Sequence, residues 1–517
     1  MEDPGEPGSP AATLRDRLSA LQEREADSFG RGRILLSFDE WLEEVESHPE
    51  RHLRNAAQYL LDAVESFGTR EVETMRGPRT RWQVFDAPFD DGEDRVVGQE
   101  EAQAQLVSLL RNFVSERRIN RLILLHGPNG SAKSSFVACL SRAMEAYSRT
   151  PQGALYTFHW IFPTRVVESS RLGFGGGGRR VSGESFAHLE DSQVDARVSA
   201  EHNDNPVFLL QGEQRQALLA HVGARCPSFL VSDTIRRGTL GHRSRTIWDA
   251  LMTSYRGDVK RVLRHVQVER FFVSRAYRRA AVTVEPQLRV DAGVRQLTAD
   301  RSLAALPTAL QTQTLFETFG PLVEANRGLL EYNDLLKRPM EANRYLLSTS
   351  EKGTVALDHA EMRLDAVLIA TGNELYLEAF KQQPDWSSYK GRMELVRMPY
   401  LLDWQAEQQV YDDMLRGVEG GTRVAPHTTA VLALWAVLTR LRRPDPAEAP
   451  ARIRDVVRAM TPLQKARLLA EGQVPRGLAG EVARELRAWV PAMLAQGEEG
   501  SAWEGRFGAS AREMKGL

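Results

Sequence analysis

The sequence predicts an α/β fold in which a mostly parallel sheet carries a phosphate-binding loop, with a small helical module before it and a run of helices after it. Three observations predict this. Leu122–Leu125 are apolar and read as a short buried strand, followed by Gly127-Pro128-Asn129-Gly130-Ser131-Ala132-Lys133-Ser134-Ser135 and a helical pattern running through Met144. Ala366–Asn373 (AVLIATGN) is almost continuously apolar, the form of a central parallel strand buried on both faces. Beyond Asp403, amphipathic segments follow one another with Gly and Pro between them.

The strand, the glycine-containing loop and the helix make the context in which backbone N–H groups turn inward and form a nest for phosphate oxygens. The open amides of the following helix add positive potential. Lys133 is placed to reach the β- and γ-phosphates, and the Ser134 hydroxyl to hold Mg²⁺. The whole stretch Gly127–Ser135 is therefore expected to bind a nucleotide, with ATP and Mg²⁺ as ligands. Ala132 stands where glycine is common, and the methyl group is expected to fit if the backbone there is helical.

At roughly 100–200 residues per domain, 517 residues suggest about three units. A net charge of −2 gives no general case for nucleic acid, and two cysteines are too few for a disulfide framework or a zinc site. No leader-like segment opens the chain and no run of ~18 apolar residues occurs, so no membrane span and a cytoplasmic location are expected. Residues 1–36 are expected to be weakly ordered, 37–90 to form the helical module, 91–402 the core, and 403–517 a helical lid. Ser37 and Glu40 form a capping box that starts a helix with Trp41, Leu42 and Val45 on its apolar face. A second helix, about Asn55–Phe67, carries Tyr59, Leu60, Ala63 and Val64 at helical spacing.

Val97 and Gly98, before the helix that leads to the loop's strand, are placed for their backbone groups to read adenine. Leu155–Phe162 is expected as the second core strand, with a large insertion at about 164–286. Inside the insertion, Gly173–Gly178 matches G-x-G-x-x-G, but no strand precedes it and a surface loop is the better account. Val266–Phe271 alternates like a strand within an arginine-dense stretch, which serves as a strand face or subunit contact rather than for nucleic acid.

Phosphoryl transfer needs carboxylates at the end of the strand beside the loop, for Mg²⁺ and for the attacking water. Gly328–Tyr332 is strand-like and Asn333-Asp334 follows. Glu331 and Asp334 are both candidates for the metal-linked and water-activating roles, and strand alternation puts Glu331 with Asn333 and Asp334 on the other side. Asn373, ending the Ala366–Asn373 strand, is placed to touch the γ-phosphate or the attacking water. Arg392 precedes the last strand, where a ring-forming ATPase projects an arginine into its neighbour's site. Arg512, near the end of the helical region, is placed to reach the γ-phosphate.

These strings together resemble the PrkA family, named as serine protein kinases and built on an AAA+ ATPase core. The resemblance is carried by Ser37–Phe67, Val97–Glu100, Gly127–Ser135, Glu324–Leu336, Ala370–Glu374, Lys390–Tyr400 and Glu504–Glu513. It implies an AAA+ core, Lys133 and Ser134 at phosphate and Mg²⁺, Asn373 and Arg512 as sensors, Arg392 as a finger acting within a homo-oligomeric ring, and an acidic role for Glu331 and Asp334. It implies ATP hydrolysis and phosphorylation of a protein serine. Two readings compete: a motor or remodelling ATPase without kinase activity, and a nucleotide-gated scaffold. Family members continue beyond the equivalent of Arg512 into a C-terminal domain credited with kinase activity, which keeps those alternatives open.

Overall fold

The computed structural model describes residues 34–92, 94–164, 185–286, 291–296, 316–357, 361–416, 424–498 and 503–514. Residues 1–33 and the glycine string Gly173–Gly178 lie outside the described residues.

Its strands are β1 (Leu35–Ser37), β2 (Thr69–Thr74), β3 (Gly77–Trp82), β4 (Leu122–Gly127), β5 (Leu155–Pro163), β6 (Val194–Ser199), β7 (Val266–Phe271), β8 (Ala281–Val284), β9 (Gly293–Gln296), β10 (Phe316–Phe319), β11 (Gly328–Tyr332), β12 (Thr354–Ala356), β13 (Glu361–Arg363), β14 (Ala366–Asn373) and β15 (Met393–Arg397). Five of them make the core sheet in the order β15-β4-β14-β11-β8. All its pairings are parallel.

Parallel strands are buried on both faces and read as apolar runs. One face of the core sheet, with Ile123, Leu125, Val367 and Ile369, packs against the helices Ala56–Ser66, Glu100–Ser115 and Lys133–Ser148. The other face, with Leu122, Leu124, Leu330 and Leu368, packs on Leu377 and Phe380 of the helix Glu374–Lys381.

The second sheet is antiparallel, in the order β1-β7-β5-β6. It corrects one expectation. Leu155–Phe162 is a strand, but it lies between β6 and β7, and the place beside β11 in the core sheet belongs to β8. Tyr156, Phe158, Trp160 and Phe162 bury one face of β5 against helices of the insertion, in the cluster that also takes Trp41 and Val45. The expected insertion at 164–286 thus includes a core strand, and β5, outside that range, belongs with the inserted sheet.

The helical module also divides. The helix Phe38–Ser47 packs on the second sheet and Ala56–Ser66 on the core sheet. The Ser37–Glu40 capping box forms, with Glu40 N–H donating to Ser37 Oγ at 3.2 Å and Ser37 N–H to Glu40 Oε2 at 2.6 Å. A second box, Asn55 with Gln58, starts the other helix.

The arginines near β7 serve internal contacts. Arg270 donates to the carbonyls of Ser148 and Thr150, and Arg279 lies 4.5 Å over the Phe271 ring. The C-terminal region is helical, with Trp404–Arg416, Thr428–Arg440, Pro462–Glu471 and Gly480–Gly497 as its longest elements. Among the described residues no helix is long and apolar enough to cross a membrane.

Candidate functional site

β4 ends in Gly127, and the chain turns through Pro128–Ala132 into the helix Lys133–Ser148. A Cβ on Gly127 would lie 2.1 Å from the Met398 carbonyl oxygen, so only glycine lets the loop leave the sheet at this point. Ala132 has φ 65° and ψ 18°. The condition under which the methyl group was expected to fit is not met: the residue is left-handed, which costs a side-chain-bearing residue roughly 1–2 kcal/mol.

The Lys133 ammonium lies over the loop and donates to the carbonyls of Gly127 at 3.0 Å and Pro128 at 2.6 Å. Burial pushes its pKa down to about 8, against the pull of Asp334 and Glu374. Ser134 is exposed, and among the described residues its hydroxyl has no hydrogen-bond partner. These features fit a nucleotide polyphosphate: glycines that permit close approach, a cation over the loop, and a free hydroxyl on the helix's first turn.

β14 lies beside β4 and brings Asn373 to the loop, where its Nδ2 donates to Asn129 Oδ1 at 2.9 Å. Two residues earlier, Thr371 Oγ1 donates to Asn333 Oδ1 at 3.1 Å and accepts the Asp334 N–H at 3.0 Å. One edge of β14 thus organises both the loop and the end of β11.

The two candidate carboxylates are separated. Glu331 is buried in β11 and accepts from Thr283 Oγ1 of β8 at 2.8 Å, and its burial raises its pKa. Asp334 lies beyond the strand, which ends at Tyr332, and is left-handed with φ 46°, so strand alternation does not extend to it. It is Asp334, with Glu374, that acts electrostatically on Lys133.

Arg512 belongs to the short helix Ala511–Met514. A Cβ on Gly130 would lie 3.1 Å from Ser510 Cβ and 3.8 Å from Arg512 Cβ, so this helix packs directly on the loop. Ser510 caps it through a reciprocal box with Glu513. The helix is anchored by a buried ion pair: Arg440 donates to Glu407 at 2.7 and 2.8 Å, and also to the carbonyls of Ala509 and Leu401.

Val97 and Gly98 line a cleft of about 900 Å³ with Tyr400, Leu401, Leu402 and Asp403. The Gly98 carbonyl already accepts from Gln103 Nε2 at 3.0 Å.

Arg392 stands at the opposite end of the sheet. Its carbonyl accepts the N–H of Leu122, the first residue of β4, whereas the loop follows the last. A six-residue strand spans about 20 Å, so Arg392 does not reach the loop of its own chain. Its guanidinium is held by Glu351 at 2.7 Å and the Ser388 carbonyl at 2.8 Å.

Several groups at the site were not singled out in the sequence. Tyr400 donates its hydroxyl to the Asn129 carbonyl at 2.6 Å. His126 Nδ1 and Glu374 Oε2 are 2.6 Å apart, joining the residue before the loop to the residue after Asn373. Arg506 forks onto Glu378 at 2.7 Å from each terminal nitrogen. For His126 and Glu374 the available signal is their place beside Gly127 and Asn373; Tyr400 is adjacent to none of the predicted site residues.

A five-stranded parallel sheet with a phosphate loop on its second strand in spatial order, flanked by helices, defines a P-loop ATPase domain. Residues 231–448 match the family model described as the PrkA AAA domain. Over that range the chain is similar to the PrkA AAA domain.

The chain is 23% identical over 414 residues to the ATP-dependent protease PrkA of Bacillus subtilis (strain 168), covering 79% of this chain and 55% of that protein. It is 24% identical over 138 residues to the serine/threonine kinase YeaG of Escherichia coli (strain K12), covering 26% of this chain and 21% of that protein. The chain thus spans about half the length, or less, of these curated relatives. Two structures of NtrX from Brucella abortus, the second in complex with ATP, align with TM-scores of 0.18 and 0.19. They share 14% and 16% identity over 32% and 34% of this chain and 41% and 45% of theirs. A likeness that low carries no argument about this molecule.

Proposed function

We propose that this chain binds ATP with Mg²⁺ at Gly127–Ser135 and transfers the γ-phosphoryl group to an oxygen nucleophile, water in the basal reaction. The observation that carries this reading is the convergence of Lys133, Asn373, Asp334 and Arg512 on one loop, from four separate elements.

In this reading the loop amides and Lys133 hold the β- and γ-phosphates, and Ser134 with Asp334 supplies the protein oxygens for Mg²⁺, which needs only one or two of them. Bound Mg²⁺ neutralises charge on the phosphates. Asp334 orients the attacking oxygen and accepts its proton, while Asn373, held against Asn129, fixes that oxygen in line. Glu331, committed to Thr283, holds β8 to β11. Val97 and Gly98 take the adenine, and Arg512 carries the presence of the γ-phosphate into the helical lid. Arg392 acts on a neighbouring copy in a homo-oligomeric ring.

A serine of a protein as acceptor is the second reading. It is favoured by the similarity to the serine/threonine kinase YeaG, as the similarity to the ATP-dependent protease PrkA favours a proteolytic role. Purified protein with γ-labelled ATP and Mg²⁺ separates them, with Lys133→Ala as control. Free phosphate that disappears in the variant supports the ATPase, and label on protein serine that disappears supports the kinase. Turnover undiminished in Lys133→Ala overturns the assignment of the loop.

A further inference from the structure

Asp334 does not stand alone at the end of β11. The chain turns after it through Leu335–Lys337, and the Lys337 ammonium returns to Asp334 Oδ2 at 2.5 Å. The turn is fixed from below. Leu335 is buried, and Leu336 lies over Gly372 of β14, where a Cβ would come within 3.3 Å of its Cδ1. The ammonium also lies 5.9 Å from the centre of the Tyr376 ring, in the first turn of the helix that Asn373 caps.

The head group remains open to water, its side chain 41% exposed. The ammonium, charged at neutral pH like any exposed lysine, donates the hydrogen bond to Asp334. Lys337 and Arg512 are also the two cations that act on Lys133. Lys337 reaches this neighbourhood through Asp334, and Arg512 through its packing on Gly130. Glu374 is occupied by His126, so Asp334 is the carboxylate left to balance Lys337.

We propose that Lys337 is a ligand of the γ-phosphate that also gates Asp334, holding the carboxylate until a triphosphate draws the ammonium away. Lysine suits this use, since its compact charge on a flexible four-carbon stem exchanges one anionic partner for another without rebuilding the turn. While Lys337 donates to Oδ2, that oxygen is not free to accept a proton. Once Lys337 moves to the γ-phosphoryl oxygens, Oδ2 takes the proton of the attacking hydroxyl. The new O–P bond then forms as the bond from the γ-phosphorus to the β,γ-bridging oxygen breaks, and the electron pair leaves with ADP. Lys337 offsets charge on the group in flight, and ADP, which lacks that group, leaves Lys337 with Asp334.

This inference rests on the ATP reading of the loop, and the test keeps the two apart. Dissociation constants for ATP and for ADP are measured with Mg²⁺ on wild type, Lys337→Met, Lys337→Arg and Lys133→Ala, beside single-turnover rates. Lys337→Met is expected to weaken ATP binding roughly tenfold, the loss of one charge-assisted contact, and to leave ADP binding within about twofold. Its single-turnover rate falls, and Lys337→Arg restores the preference for ATP. Equal ATP and ADP constants between wild type and Lys337→Met, or equal loss of both, overturn the role of Lys337 while leaving the loop assignment standing. A wild type that binds neither nucleotide overturns both.

Discussion

The two sheets of this molecule use the same kinds of residues to opposite ends. In the antiparallel sheet, polar side chains are spent on the fold. His265 Nδ1 pairs with the Ile161 carbonyl at 2.7 Å, Gln267 donates to the Ala187 carbonyl, and Arg270 donates to two carbonyls beyond the strand. In the parallel sheet the strand interiors are apolar, and the polar groups collect at the C-terminal ends of β4, β11 and β14. There they hold one another through contacts that a ligand can replace: Lys133 on loop carbonyls, Lys337 on Asp334, Asn373 on Asn129. Ligand chemistry belongs where parallel strands end together and the connecting loops are free to differ. An antiparallel sheet divides its loops between both ends, and here its side chains lock those ends down.

The largest expected effect tests the antiparallel sheet. Trp160 of β5 is fully buried and packs edge-on against Phe158 and Trp248. Trp160→Ala is expected to lower unfolding free energy by about 3–5 kcal/mol in urea. The molecules that remain folded should bind ATP with wild-type affinity. A folded Trp160→Ala protein that has lost ATP affinity would break the division between the two sheets.

Next comes the titration of Lys133. Burial lowers its pKa to about 8, so above that pH the ammonium that faces the phosphates is progressively lost. ATP affinity is expected to fall as pH rises from 7.5 to 9.5, by up to about tenfold per unit at the top of the range. Stability moves the other way. The unfolded lysine titrates near 10.5, so between about 8 and 10.5 the unfolded chain binds more protons at this position, and this residue's contribution to stability rises with pH. Calorimetric binding and urea unfolding across the same pH series show both slopes. Lys133→Ala removes both, and an ATP affinity flat through pH 9.5 would place the ammonium away from the phosphates.

The same contrast explains what the sequence makes legible. The phosphate loop is one local string whose glycines and lysine act on their immediate neighbours, so Gly127–Ser135 can be recognised without tertiary information. β14 is legible because burial on both faces leaves an eight-residue apolar run. β8 is four residues behind an arginine-dense segment, too short to show a period, while β5 is longer and more apolar. Which of them stands beside β11 is decided by packing, since Tyr156, Phe158, Trp160 and Phe162 need the insertion's helices to cover them. Glu331 and Asp334 were inseparable by alternation because the strand stops at Tyr332 and Asp334 turns left-handed. Lys337 is not legible in the sequence because its contact with Asp334 exists only once that turn is made.

The smallest expected effect is at Ala132, and it sharpens the comparison because the same substitution has the opposite sign in the other sheet. With φ at 65°, the Ala132 methyl group crowds its own backbone, a cost of roughly 1–2 kcal/mol that glycine does not bear. Glycine also widens the unfolded ensemble, which returns about 0.4–1 kcal/mol of that gain. Ala132→Gly is therefore expected to raise unfolding free energy by about 1 kcal/mol or slightly less. Ala196 in β6 is buried in extended backbone, and glycine there loses packing and gains only entropy in the unfolded chain. Ala196→Gly is expected to lower unfolding free energy by roughly 0.5–1 kcal/mol. Urea midpoints for the two variants should lie on either side of wild type. A lowered midpoint for Ala132→Gly would mean that the loop's ground conformation holds Ala132 in helical backbone, and that a left-handed turn is not what carries the chain from β4 to Lys133.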